Sequence, residues 1–185
     1  QDLWDIFNLE TNLFPCLVDM KFRGVRVDLE AADKVKKELA KREKELSRQI
    51  KKIAGFDVEL WAGASIAKAF DKLKIPYDTT ELGAPSFTKN FLATHPADLP
   101  KLIVQAREFN KANTTFIDTI LKHSHKGRIH AEINQIRSDQ GGTVTGRFSY
   151  NNPNLQQIPA RHKVLGPMIR SLFIPEEKHT WGCFD

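Results

Sequence analysis

The chain has 185 residues, 41% of them apolar and 28% charged, which is too apolar for a disordered chain and enough for one good core or two small ones. Against 28 Lys and Arg stand 23 Asp and Glu, a formal charge of +5 that mildly favours an anionic partner and decides nothing alone. No apolar run approaches the roughly 18 residues that span a bilayer, QDLWDIFNLE lacks the basic region of a signal peptide, and Cys16 and Cys183 are too few for a disulfide scaffold or a structural zinc site.

In chain order, apolar residues at Leu3, Ile6, Phe7, Leu9, Leu13, Leu17, Val18 and Met20 recur at helical gaps, with a break expected near Pro15. RGVRVD, residues 23–28, reads as a short strand or turn, and Asp28 is a good N-cap for the segment that follows. Residues 29–54 carry the strongest helical signal: Leu29, Ala32, Val35, Leu39, Leu46, Ile50 and Ile53 form one stripe, and Gly55 stops it. The lysines and arginines of this helix read mainly as a solvated face. Ser65–Leu73 and Thr88–Thr94 are short helices, with 77–86 a loop between them, and Leu99–Lys122 is a second long helix. From residue 126 the pattern changes. KGRIHAEINQI alternates as a strand, and MIRSLFIP and HTWGCFD read as two more. HTWGCFD reads as a strand still under way at Asp185, and no initiator Met begins the chain. The expectation is therefore a fragment, a processed product or a partly covered chain, in a reducing intracellular compartment.

The chemistry concentrates in Thr143–Arg161, TVTGRFSYNNPNLQQIPAR. Gly146 lets backbone approach a ligand closely, Arg147 offers a planar fork of donors, and Ser149, Asn151, Asn152, Asn154, Gln156 and Gln157 add uncharged hydrogen-bonding groups. Amides with arginine suit nucleic-acid grooves and backbones; a polar turn of an ordinary β-protein has the same composition.

The order T-G-R-x-S followed by P-N-L-Q-x-I-P-x-R closely resembles the signature of family A DNA polymerases, the class of bacterial DNA polymerase I and its phage relatives. GRIH before it, IRSLFIP after it and a terminal Asp follow the family order. REFNKANTTFIDTI, residues 107–120, resembles the last long thumb helix, and LFPCLVDMKFRGVRVD resembles the stretch joining the exonuclease-like domain to the thumb. The F-S-Y-N-N and Q-Q-I-P-A-R details resemble phage members more than bacterial ones. The resemblance is loose from about residue 55 to 100.

This resemblance implies an α+β fold. Residues 1–28 would end the exonuclease-like domain and connector. Residues 29–125 would be a mainly helical thumb of two long helices and short tip helices. Residues 126–185 would begin an antiparallel palm sheet ending at the motif A aspartate. It implies a DNA-directed DNA polymerase with primer–template DNA and deoxynucleoside triphosphates as partners, in the cytoplasm, host cytoplasm for a phage protein. Arg147 would reach the minor groove at the primer terminus, where every base pair offers an N3 or O2 acceptor. Ser149, Asn154 and Gln156 would bind the primer–template near its end, and Arg161 would sit near the incoming phosphates. Arg107, Lys111, Asn113 and Thr114 match thumb positions that meet the duplex backbone, and helical spacing puts Arg107, Lys111 and Thr114 on one face. Asp185 would be a catalytic carboxylate holding Mg²⁺ in a two-metal site.

The family's second catalytic Asp and its fingers helix are absent from these residues, so the chain alone is expected to be inactive and to need a C-terminal polymerase portion. Alternatives are a non-enzymatic duplex-binding module, half of a split polymerase, or a structural protein with a vestigial motif. The chain departs from the family in the longer IRSDQGGTV before T-G-R, in Phe148, Tyr150 and Asn151, and in Asn113 where lysine is common. His123-x-His125 lacks a third metal ligand, His130 reads as a strand histidine with a structural partner, and Cys183 has no nucleophile machinery. Trp61 reads as a core or docking aromatic rather than a base-stacking platform. Thr143–Arg161 has little core of its own and is expected to be mobile in isolation.

Overall fold

The computed structural model describes residues 3–139 and 141–183. Its elements in order are α1 (Trp4–Arg23), β1 (Val25–Arg26), α2 (Leu29–Ala54), α3 (Gly63–Lys72), β2 (Asp78–Thr79), β3 (Pro85–Ser86), α4 (Lys89–Thr94) and α5 (Asp98–Lys111). A π-helical turn (Ala112–Ile117) then leads into α6 (Asp118–His123), β4 (Ser124–His125), β5 (Arg128–Ile129), β6 (Glu132–Asn134) and β7 (Ser149–Asn151). A 3₁₀ turn (Leu155–Gln157) and α7 (Leu165–Arg170) complete the order. The chain divides into two compact units, one of residues 36–115 and one of residues 1–35 with 116–185. Helices with small antiparallel sheets make the expected α+β class.

In the unit of residues 36–115, Ile50, Ala54, Ile66, Ala69, Phe70, Leu92, Leu99, Ile103, Val104 and Ala106 form one buried cluster. The stripe of α2 is largely as its spacing dictates: Leu39 and Ile50 are buried and Leu46 packs on the cluster. Ile53 is the exception, 38% exposed, because Ala54, four residues after Ile50, takes the inward position. The opposite face is exposed at Lys41, Lys44, Arg48, Lys51 and Lys52, with Arg48 near Glu45 at 3.6 Å and Lys51 on Asp57 at 2.6 Å. Thr88 caps α4 by accepting from Phe91 N at 3.2 Å. The expected loop at 77–86 contains a two-stranded hairpin, Asp78 opposite Ser86 and Thr79 opposite Pro85.

In the other unit, β1, β5 and β4 form an antiparallel sheet with Val25 opposite Ile129 and Ser124 opposite Ile129. A second pair, β6 with β7, sets Ile133 opposite Tyr150 and Asn134 opposite Ser149. The single strand expected over 126–136 is thus two strands with different partners, separated at His130 and Ala131. His130 has its structural partner, Nδ1 lying 2.9 Å from the Lys21 carbonyl oxygen. Asp28 caps α2, its Oδ1 accepting from Ala31 N at 2.8 Å. Helix α1 runs unbroken through Pro15, contrary to expectation; proline removes one backbone donor, and the other bonds carry the helix on. Of its apolar face, Leu17 is buried while Leu3, Ile6, Phe7, Leu9, Val18 and Met20 remain exposed.

MIRSLFIP is not a strand throughout. Met168–Arg170 closes α7, because Leu165, Ile169 and Leu172 bury themselves at helical spacing. Extended pairing begins only afterwards, with Phe173 bridging Val27 and Ile174 N donating to Arg26 O at 3.1 Å. HTWGCFD forms no strand over its described residues, 179–183; Phe184 and Asp185 lie outside them. The expected helix Leu99–Lys122 is α5, the π turn and α6 in succession.

Candidate nucleic-acid interface

Within residues 36–115, Arg107 projects from α5 into a setting the sequence did not reveal. Its Nε donates to Leu60 O at 2.7 Å and its Nη1 to Phe87 O at 3.0 Å. The guanidinium also lies over the Trp61 ring, 5.2 Å from its centroid. Burial pushes its pKa below the ordinary arginine value. Much of the fork of donors is therefore spent on loop carbonyls. Lys111 ends α5, exposed, and lines a cavity of about 310 Å³ with Trp61, Lys89, Val104, Arg107 and Glu108. Lys89 Nζ pairs with Glu108 Oε1 at 2.7 Å.

Thr114 does not continue the α-helical face of Arg107 and Lys111, because it stands in the π turn, whose hydrogen bonds reach one residue further. Its Oγ1 donates to Asn110 O at 2.9 Å. Asn113 Oδ1 is enclosed with no hydrogen-bond partner among the described residues. Trp61 was expected to be core or docking; it is not core, being 62% exposed.

In the second unit, Thr143–Arg161 is tied down by its own polar groups. Thr143 Oγ1 donates to Arg147 O at 2.7 Å, and Gln156 Nε2 donates to Phe148 O at 2.9 Å. Ser149 lies in β7, its Oγ accepting from Asn134 Nδ2 at 3.3 Å. Asn154 Oδ1 accepts from Gln156 N at 3.1 Å, which starts the 3₁₀ turn. Gln156 thus bridges from that turn back to the residue after Arg147. Gly146 has φ +72°, and a Cβ there would meet nothing within 4 Å, so the backbone beside Arg147 is open to a ligand. The Arg147 side chain is exposed and has no protein partner among the described residues. Arg161 is likewise exposed. Asp185, the expected metal-binding carboxylate, lies outside the described residues. Among those residues no group of three His, Cys, Asp or Glu could hold a metal ion.

The longer segment before T-G-R closes as a turn, Ser138 N donating to Gly141 O at 2.7 Å. Gly142 is required there. At φ +98° a Cβ would run into the Ile136 carbonyl oxygen and come within 2.6 Å of Arg137 Cα. Gly142→Ala is expected to cost about 1–3 kcal/mol, the scale of a strained backbone residue. Urea denaturation measures it, and a change below about 0.5 kcal/mol, the range of a neutral surface substitution, contradicts it.

Sequence reasoning missed Asn110 and Lys89, and the bonds that hold Trp61. Trp61 Nε1 donates to Asn110 Oδ1 at 3.3 Å, and Asn110 Nδ2 donates to Glu43 Oε1 at 2.9 Å. The partners are 49 and 67 residues apart, beyond any local signal.

The comparisons agree with the motif. Residues 29–185 match the family model for DNA polymerase family A. The chain is 33% identical over 195 residues to a DNA-directed DNA polymerase of Pseudomonas phage M6, covering 100% of this chain and 29% of the phage protein. It is 35% identical over 205 residues to DNA polymerase DpoZ of Acinetobacter phage SH-Ab 15497, covering 100% of this chain and 33% of that protein. A solved structure, the POL domain of Pol1 from M. smegmatis in complex with DNA primer-template and dNTP, matches with a TM-score of 0.74 at 26% identity, over 89% of this chain and 29% of that one. The chain thus spans about a third of the length of these curated relatives. No helix among the described residues is long and apolar enough to cross a membrane. This chain, whose T-G-R-x-S loop, mixed α+β fold and likeness along its whole length to part of the phage polymerases coincide, belongs to DNA polymerase family A.

Proposed function

We propose that this chain is the part of a DNA-directed DNA polymerase that grips the primer–template duplex, with residues 29–125 as thumb and 126–185 as the beginning of the palm. The compact unit 36–115 lies inside the proposed thumb. One observation carries the reading: the Arg147 side chain is exposed while its own carbonyl accepts from Thr143 and the next carbonyl, of Phe148, accepts from Gln156. An exposed arginine on a loop whose adjacent carbonyls are hydrogen-bonded stands where binding residues are commonly carried.

Arg147 donates to the minor-groove N3 or O2 acceptors of the terminal base pair, a contact largely indifferent to sequence. Ser149, Asn154 and Gln156 keep that loop in shape through their own bonds and face the same strand end. Arg161 meets the phosphates of an incoming nucleotide. Lys111 meets duplex phosphates, with Asn113 and Thr114 beside it. Arg107 organises the surface, with what remains of its fork turned to the backbone. Asp185 is the proposed carboxylate that would hold Mg²⁺, and a two-metal site there would supply charge stabilisation for nucleotidyl transfer.

Fluorescence anisotropy with a primed duplex tests the reading. A grip on about four phosphates lowers affinity about a hundredfold between 50 and 200 mM salt. Binding that is absent at low salt, or that does not respond to salt, overturns it.

A further inference from the structure

Trp61 is an exposed aromatic held rigidly. The Arg107 guanidinium lies over its ring at 5.2 Å, and its indole N–H donates to Asn110, which is itself braced on Glu43. Arg107 Nε also grips the carbonyl of Leu60, the residue before it. Four groups thus fix the orientation of a side chain that remains 62% exposed. The rigidity does not serve core packing, since Trp61 is not in the core. It does serve binding, because an aromatic already held in place loses little conformational freedom when a ligand stacks on it. The cavity beside it holds three cations, Lys89, Arg107 and Lys111, against one carboxylate, Glu108, which is already paired to Lys89. The surplus positive charge suits phosphate.

We propose that Trp61 is a stacking platform for an unpaired base of single-stranded DNA, with Lys111 receiving the adjacent phosphate and Arg107 acting as the positioning residue behind the ring. An indole face beside cations fits a strand whose bases are free to stack on protein, the arrangement general to single-strand binding. A duplex does not fit it, because its bases are stacked on each other and present only edges and backbone. The inference rests on the nucleic-acid reading above and adds a strand that the duplex grip does not use.

The test measures the affinity of the 185-residue chain and its Trp61→Ala variant for an oligothymidylate, for an abasic strand of the same length, and for a blunt duplex. Trp61→Ala is expected to weaken oligothymidylate binding about fivefold to a hundredfold, the range of one lost stacked base. It should leave the duplex within about twofold, and the abasic strand should bind wild type and variant alike. Trp61→Phe should recover part of the loss. Unchanged oligothymidylate affinity in the variant overturns the proposal, as does no binding of the oligothymidylate, an equal loss on the duplex, or an equal loss on the abasic strand. If duplex binding with its salt dependence persists through such a result, the stacking site alone has failed. If no nucleic acid binds at all, the polymerase-grip reading has failed with it. Trp61 is exposed and outside the core, so its truncation should leave the fold intact, and circular dichroism of the variant checks this directly.

Discussion

Phe70→Ala is expected to remove about 3–5 kcal/mol from the stability of the unit formed by residues 36–115. Phe70 is fully buried at the centre of that unit. The ring stands 4.9 Å from Phe87, 6.0 Å from Tyr77, 6.4 Å from His95 and 6.5 Å from Phe91, centroid to centroid. Truncation to a methyl group loses the transfer energy of the ring and leaves a void that four other rings cannot fill without leaving their rotamers. Small domains hold only about 5–15 kcal/mol in total, so the loss takes about a fifth or more of that reserve. A second consequence follows from connectivity. Phe87, the nearest ring, offers the carbonyl that accepts from Arg107 Nη1. Loosening Phe87 loosens the residue that orients Trp61. Urea denaturation with amide exchange across 36–115 measures the effect, and Phe70→Leu should cost less because it retains more of the volume. A loss below 1 kcal/mol in the alanine variant contradicts the packing account.

Arg147→Ala is expected to weaken binding to a primed duplex about tenfold to a hundredfold, the cost of losing a charged hydrogen-bonding fork. The fold has little stake in this side chain, whose partners among the described residues are none. The melting temperature should therefore stay near that of the wild type. The salt dependence should also persist, because a groove contact releases no phosphate counterion, and this separates Arg147 from Lys111. Lys111→Ala should instead flatten the salt response. Arg147→Lys keeps the charge but loses the planar fork, and recovers only part of the affinity. An Arg147→Ala variant that binds the primed end within twofold of the wild type removes the central contact of the proposed function.

Much of the chain's local structure was legible in its sequence. Asp28 as a cap, the stripe of α2 and the short helices after residues 63 and 88 depend on spacing within a few residues, which is what sequence displays. The order of T-G-R-x-S and its neighbours carried the family, since motif order needs no coordinates. Elements whose state depends on distant partners were read less well. MIRSLFIP looks extended until Leu165 is included, and its last residues are extended because Arg26, well over a hundred residues earlier, accepts from Ile174. The π turn at 112–117 shifts Thr114 off the α-helical face that simple spacing assigned to it.

The same division holds for the candidate interface. Composition and order alone marked Arg147, Ser149, Asn154 and Gln156 as one polar segment; the bonds of Asn154 and Gln156 are local, spanning from two residues within the 3₁₀ turn to eight between Gln156 and Phe148, while Ser149 reaches Asn134, fifteen residues away. The state of Arg107 and Trp61 was decided only by tertiary structure. Arg107 was expected to meet the duplex backbone from a helix face, yet its partners are Leu60 and Phe87, 47 and 20 residues away. A guanidinium keeps its charge and has five donors to satisfy, so its role is set by whichever acceptors the fold brings within reach. Those acceptors are backbone carbonyls, invisible in any side-chain pattern. Sequence determined which groups the chain possesses and which local segments they stiffen; the fold decided which of them were consumed in holding the protein together and which were left facing outward.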